Sequence, residues 1–187
     1  MKNLKTTKIL FLALVAISIS SCNKDDNPAP VNEEEVITTV ITKLTFGNQI
    51  ITLTSRDLDG DGPNAPIVTT SGNLAANTTY TGTVTFLNET VTPASNITEE
   101  VLAEGVDHQL FFQAPTSLGT FSYSDLDANG KPIGLQFTLA TGAATSGSLL
   151  VTLRHEPNKS AAGVSGGNIT NAAGSTDAAV TYSVVVN

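Results

Sequence analysis

From Val36 onward, apolar and polar positions alternate with a period of two, in short runs broken by Gly, Asn, Asp and Pro. Val36, Val40, Leu44 and Phe46 oppose Thr39, Lys43 and Thr45, while Ile37 and Ile41 make the second face partly apolar. Runs at 49–55, 66–70, 79–87, 108–113 and 119–124 follow. Next, Ile133, Leu135, Phe137 and Leu139 stand against Gly134, Gln136, Thr138 and Ala140. Leu149, Val151 and Leu153 share a face, as do Ala178, Val180, Tyr182, Val184 and Val186. Successive strand residues point to opposite faces, so this period predicts strands, and the turn residues between them predict antiparallel neighbours. The expected fold is all-β: one antiparallel β-sandwich of eight or nine strands over residues 36–187. One segment breaks the period. Asn96-Ile-Thr-Glu99 has capping-box spacing and Gly105 can end a helix, which predicts at most one short helix near Ile97–Glu104, against a Glu-rich edge strand.

The first residues follow another pattern. Lys2, Lys5 and Lys8 precede an 11-residue apolar run, Ile9 to Ile19, and then Ser20-Ser21-Cys22. A bilayer span needs about 20 apolar residues, so the run reads as a signal peptide over residues 1–21. The junction resembles a bacterial lipobox. That resemblance implies a Cys22 thiol carrying palmitate-type chains, cleavage before it, and stable anchoring by two or three acyl chains. Lys24, Asp25 and Asp26 resemble the lipoprotein export signal of Bacteroidetes, which implies the outer membrane and the cell exterior. Residues 22–35 are polar, acidic and Pro-containing, as a flexible tether is.

Charge and cysteine count narrow the classes. Without the signal the chain keeps six basic and 17 acidic residues, a net −11. Nucleic acid and anionic headgroups are therefore poor partners. Cys22 is the sole cysteine, so disulfides and cysteine catalysis are excluded once it is lipidated. Leu74-Ala-Ala-Asn-Thr-Thr-Tyr80 resembles the fibronectin type III pattern, in which a tyrosine hydroxyl bonds back to the turn before it. The resemblance implies an immunoglobulin-like sandwich.

Two loops share a spelling, Asp57-Leu-Asp59-Gly-Asp61-Gly62 and Asp125-Leu-Asp127-Ala-Asn129-Gly130. Oxygens at positions 1, 3 and 5 with Gly at 6 suit a Ca²⁺ loop, although position 12 offers no Glu. The same residues also make plain tight turns. Three carboxylates within five residues repel one another, which favours an ion. Thr83–Glu89 and Leu150–Glu156 repeat at nearly the spacing of the two loops, as an internal duplication would. His108 follows Asp107, and His155 precedes Glu156 on the face of Val151 and Leu153. If their strand ends meet, His108, His155 and Glu156 can form a His₂-carboxylate site for Zn²⁺ or Cu²⁺; otherwise each is an isolated, hydrogen-bonded histidine.

No G-x-S-x-G, Gly-rich phosphate loop or H-E-x-x-H occurs, so no enzyme is expected. Residues 158–176 form a long Gly/Ala/Ser/Asn loop, and adjacent Phe111 and Phe112 put one ring on each face of their strand. The whole chain resembles uncharacterised Bacteroidetes surface lipoproteins through D-L-D-G-D-G, Asn96-Ile-Thr-Glu-Glu with Asp107-His108-Gln109, and Leu153-Arg-His-Glu-Pro157. That resemblance implies a TonB-dependent receptor as a candidate partner, since some lipoproteins of that lineage act beside one in nutrient or metal capture. The expectation is a non-catalytic binding module for metal or small-nutrient capture, or for docking on an outer-membrane receptor. The alternative is a structural or adhesive surface protein with Ca²⁺-stiffened loops.

Overall fold

A computed structural model describes residues 35–60 and 62–187 of the chain. Cys22, Lys24, Asp25 and Asp26 lie outside the described residues, as does Asp61. The alternating runs become strands: β1 Thr39–Phe46, β2 Gln49–Arg56, β3 Ile67–Thr70, β4 Thr79–Asn88, β6 His108–Gln113, β7 Gly119–Tyr123, β8 Gln136–Thr141, β9 Thr145–His155 and β10 Ser175–Val186. A two-residue strand, β5 Ser95–Asn96, joins them, followed by a single helix, α1 Ile97–Ala103. The strands form two antiparallel sheets. The large one runs β3-β2-β1-β4-β8-β7, with β5 on β4; the small one runs β10-β9-β6.

The core lies between the inward rows of the two sheets. Val40, Leu44, Leu53, Tyr80, Val84 and Phe86 of the large sheet share one cluster with Leu110, Leu149, Val151, Leu153, Tyr182 and Val184 of the small one. The buried Tyr182 hydroxyl donates 3.0 Å to the Val40 carbonyl, from one sheet to the other. Burial also pushes that phenol up to about 12. The tyrosine of the turn motif behaves as its pattern implies. Tyr80 Oη accepts the Ala75 amide at 2.8 Å, and Asn77 takes a left-handed φ of +51° in the turn.

Three details depart from the sequence pattern. Asn96 does not cap α1; its side-chain amide instead donates to Glu99 Oε1 at 3.0 Å. Strand β8 starts only at Gln136, because Gly134 at φ +95° breaks the ladder and Ile133 gives its carbonyl to Leu110 of the small sheet. The 158–176 loop is not loose. It folds through two short 3-10 turns over the outer face of β6, where Phe111, Val164 and Ala172 bury one another. Phe111 is thus buried under this loop.

The two D-L-D loops connect β2 to β3 and β7 to β8, hairpins at opposite edges of the large sheet. The two Thr/Val strings fall in β4 and β9, in different sheets. At the far edge, all four residues of β3 are exposed, including Ile67 and Val68.

Candidate metal centre

Strands β6 and β9 are neighbours, in a register that sets His108 directly opposite His155. Alternation places both on the inner face, in line with Leu110 and Leu153, so the imidazoles close one end of the core. Their ring centroids are 4.7 Å apart. The two strand ends do meet.

Asp177 arrives through an irregularity. The β9–β10 register shifts between Thr176 and Ala178, making Asp177 the extra residue of a bulge. A bulge re-aims a side chain that strict alternation would send outward. The Arg154 guanidinium fixes the approach by donating to the Ala173 and Gly174 carbonyls and to Thr176 Oγ1. Gly174, at φ +70°, has no substitute there: a Cβ would sit 2.0 Å from the His155 carbonyl oxygen. Glu35 supplies the fourth group, from the segment just ahead of β1.

These four side chains offer one ligand atom each, all within 4.8 Å of one another. His108 Nε2 lies 2.9 Å from Glu35 Oε1 and 3.7 Å from Asp177 Oδ2. His155 Nδ1 lies 3.8 Å from Glu35 Oε2 and 3.9 Å from Asp177 Oδ1. Four ligands at 2.0–2.1 Å from a tetrahedral Zn²⁺ stand about 3.3–3.4 Å apart, within this spread. The side chains are nearly solvent-free: His108 is 0%, Asp177 1%, Glu35 6% and His155 9% exposed.

Two carboxylates buried side by side need two positive charges nearby. One divalent cation among the four groups would supply both. His108 Nδ1 faces the Glu104 carbonyl at 3.1 Å, which places a proton on Nδ1. Nε2, although 2.9 Å from Glu35 Oε1, makes no hydrogen bond to any described residue, because an N–H there would not point at that oxygen. Glu35 Oε2 likewise has no hydrogen-bond partner among the described residues. His108 and Glu35 both belong to the set of four whose ligand atoms lie within 4.8 Å of one another. A second carbonyl or carboxylate partner fixing the tautomer of a histidine ligand is the usual support of a metal site.

The sequence-derived candidates fare differently. His108 and His155 come together; Glu156 does not join them, because it turns out at φ +49° into an exposed position. Glu35 and Asp177 take its place. Glu35 ends the acidic run that reads as tether, and Asp177 is the single acid after Glu156. That isolation is the one signal in the chain that singles Asp177 out.

In the second D-L-D loop every carboxylate oxygen has a protein donor. Asp125 accepts the amides of Gly134 and Gln136, and Asp127 accepts those of Asn129 and Lys131 plus the Lys159 ammonium at 2.8 Å. Asn129 is exposed. Burial raises the Asp127 carboxyl, but Lys159 and the two amides outweigh it and hold the group below the usual range. In the first loop, Asn64 donates from its side chain and backbone to Asp59 Oδ2 and lowers that carboxyl. Asp57 Oδ1 is buried with no hydrogen-bond partner among the described residues.

No protein-family model, curated sequence or solved structure matches this chain.

Proposed function

We propose that this protein is a non-catalytic, lipid-anchored binding module that holds one divalent transition-metal ion between Glu35, His108, His155 and Asp177. The observation that carries the reading is the buried His108 Nε2, close to a carboxylate yet making no hydrogen bond to a described residue. Two imidazole nitrogens and two carboxylate oxygens suit Zn²⁺ or Cu²⁺. With both carboxylates ionised and both imidazoles neutral, the loaded site is electrically neutral. Four protein ligands leave no open position of the kind catalytic zinc sites keep, which favours holding an ion over reacting at it. Cys22 with Lys24, Asp25 and Asp26 supports a lipid anchor facing the cell exterior, where such a module serves metal capture beside an outer-membrane receptor. Asp57 Oδ1, without a hydrogen-bond partner among the described residues, supports a second reading, Ca²⁺ at Asp57, Asp59 and Asp61 stiffening a structural or adhesive protein.

The test is calorimetric titration of the chelator-stripped chain with Zn²⁺, paired with melting curves. One equivalent should bind, and at 100 times Kd the native state should gain about 2.7 kcal/mol. His155→Ala should lose that gain. A stripped wild-type chain that takes up no Zn²⁺ or Cu²⁺ refutes the reading.

A further inference from the structure

The metal reading leaves open how an ion reaches a site this closed. His108, His155 and Asp177 are all held by one hydrogen-bonded sheet. Glu35 is different. Residues 35–37 have no regular structure and make no backbone hydrogen bond to another described residue. The chain becomes fixed only at Thr38, whose amide and hydroxyl donate to the Leu87 carbonyl and whose own carbonyl accepts the Asp57 amide. Among the described residues, what holds the Glu35 side chain is the cluster itself, helped by half-buried Ile37 against the core.

A solvent cleft of about 270 Å³ runs along this segment. Ile37 and Thr38 form part of its wall, Asp57 lines it from the first D-L-D loop, and Asp177 lines it from β10. Resting on the metal reading, we propose that this acidic cleft is the route of the cation and that Glu35 is its gate. Residues 35–37 swing out from a hinge at Thr38, the ion passes Asp57 to reach Asp177 and the two histidines, and Glu35 closes behind it as the fourth ligand. A cleft lined by one sign of charge concentrates counter-ions and speeds their arrival. Asp57 is then a positioning residue on the path, not a ligand, which gives its uncompensated oxygen a role.

The experiment uses the mature full chain with Zn²⁺ as the probe. Limited proteolysis is followed with and without the ion, and Zn²⁺ release is timed by transfer to a chromogenic chelator. Cleavage within residues 35–37 should be slow when Zn²⁺ is bound and fast when it is stripped, while β9 and β10 stay uncut in both states. Glu35→Gln should speed release by about tenfold or more, the scale on which support of a metal ligand acts. Asp57→Asn should slow loading at low salt but not release. Stoichiometric Zn²⁺ with unchanged cleavage at 35–37, or with identical release from wild type and Glu35→Gln, overturns the gate and leaves the metal site standing. Absence of Zn²⁺ binding to the folded wild type overturns both.

Discussion

Lys159→Met tests what the second D-L-D loop is for. Lys159 is 6% exposed at its side chain and Asp127 1%, and the ammonium reaches both Asp127 Oδ2 and the Gly105 carbonyl behind α1. Methionine keeps the bulk and removes the charge, so the Asp127 carboxylate loses its cation while retaining the amides of Asn129 and Lys131. Breaking one side of a buried pair costs about 3–5 kcal/mol, and the retained amides put this case near the lower value. For a domain of this size each kcal/mol moves Tm by roughly 2–4 °C, so the variant should melt about 6–12 °C lower at pH 7. Adding Asp127→Asn should recover most of that loss, because the orphaned charge goes with it. The sign with pH follows from the lowered Asp127 carboxyl. A depressed folded value gives stability that is present above the unfolded value, about 3.9, and is lost as pH falls through the folded one. The deficit of Lys159→Met should therefore shrink in urea melts below about pH 4. A variant that melts with wild type at pH 7, or an equal deficit at pH 7 and pH 3, refutes the counter-ion role.

Tyr80→Phe leaves the Ala75 amide without its acceptor and should cost about 0.5–1.5 kcal/mol in urea denaturation. Millimolar Ca²⁺ should raise Tm over an EDTA control if the first loop holds an ion, and Asp59→Asn with Asp61→Asn should cancel the rise; identical curves make it a plain turn. Cys22→Ser should release the protein from membranes or leave an uncleaved precursor, and intact anchoring of that variant sinks the lipoprotein reading.

Much of the sandwich was legible because alternation is a local signal. His108–Gln113 matches its predicted run, and α1 lies where the Asn96–Gly105 spacing put it. Gly134 shows the limit: its positive φ stops a ladder that the apolar row Ile133–Leu139 predicts as continuous. The candidate site was half legible. Parity put His155 on the inner face, but only the β6–β9 register brings it to His108. Asp177 was hidden because a bulge inverts its parity, and nothing local announces a bulge in Ser-Thr-Asp-Ala. Glu35 was hidden because its chemistry matches the acidic run it ends. Asp127 shows a partner that spacing could not reveal. The shared D-L-D spelling made it a Ca²⁺ candidate, and in the fold its carboxylate meets a lysine 32 residues away.

Strand β3 carries a consequence for how copies of this protein meet. It is a sheet edge with Ile67 and Val68 open to solvent, and a bare edge can template the strand of a neighbouring molecule. Arg56 stands opposite Ile67, and Asp57 and Asp59 follow it in the adjoining loop. Like charges at that loop push a second copy away before its backbone can register with β3. The acidic hairpin is in this sense a bumper that keeps neighbouring molecules apart. Neutralising it, by substitution or by a bound cation, would turn a solitary edge into a seam along which two molecules can zip.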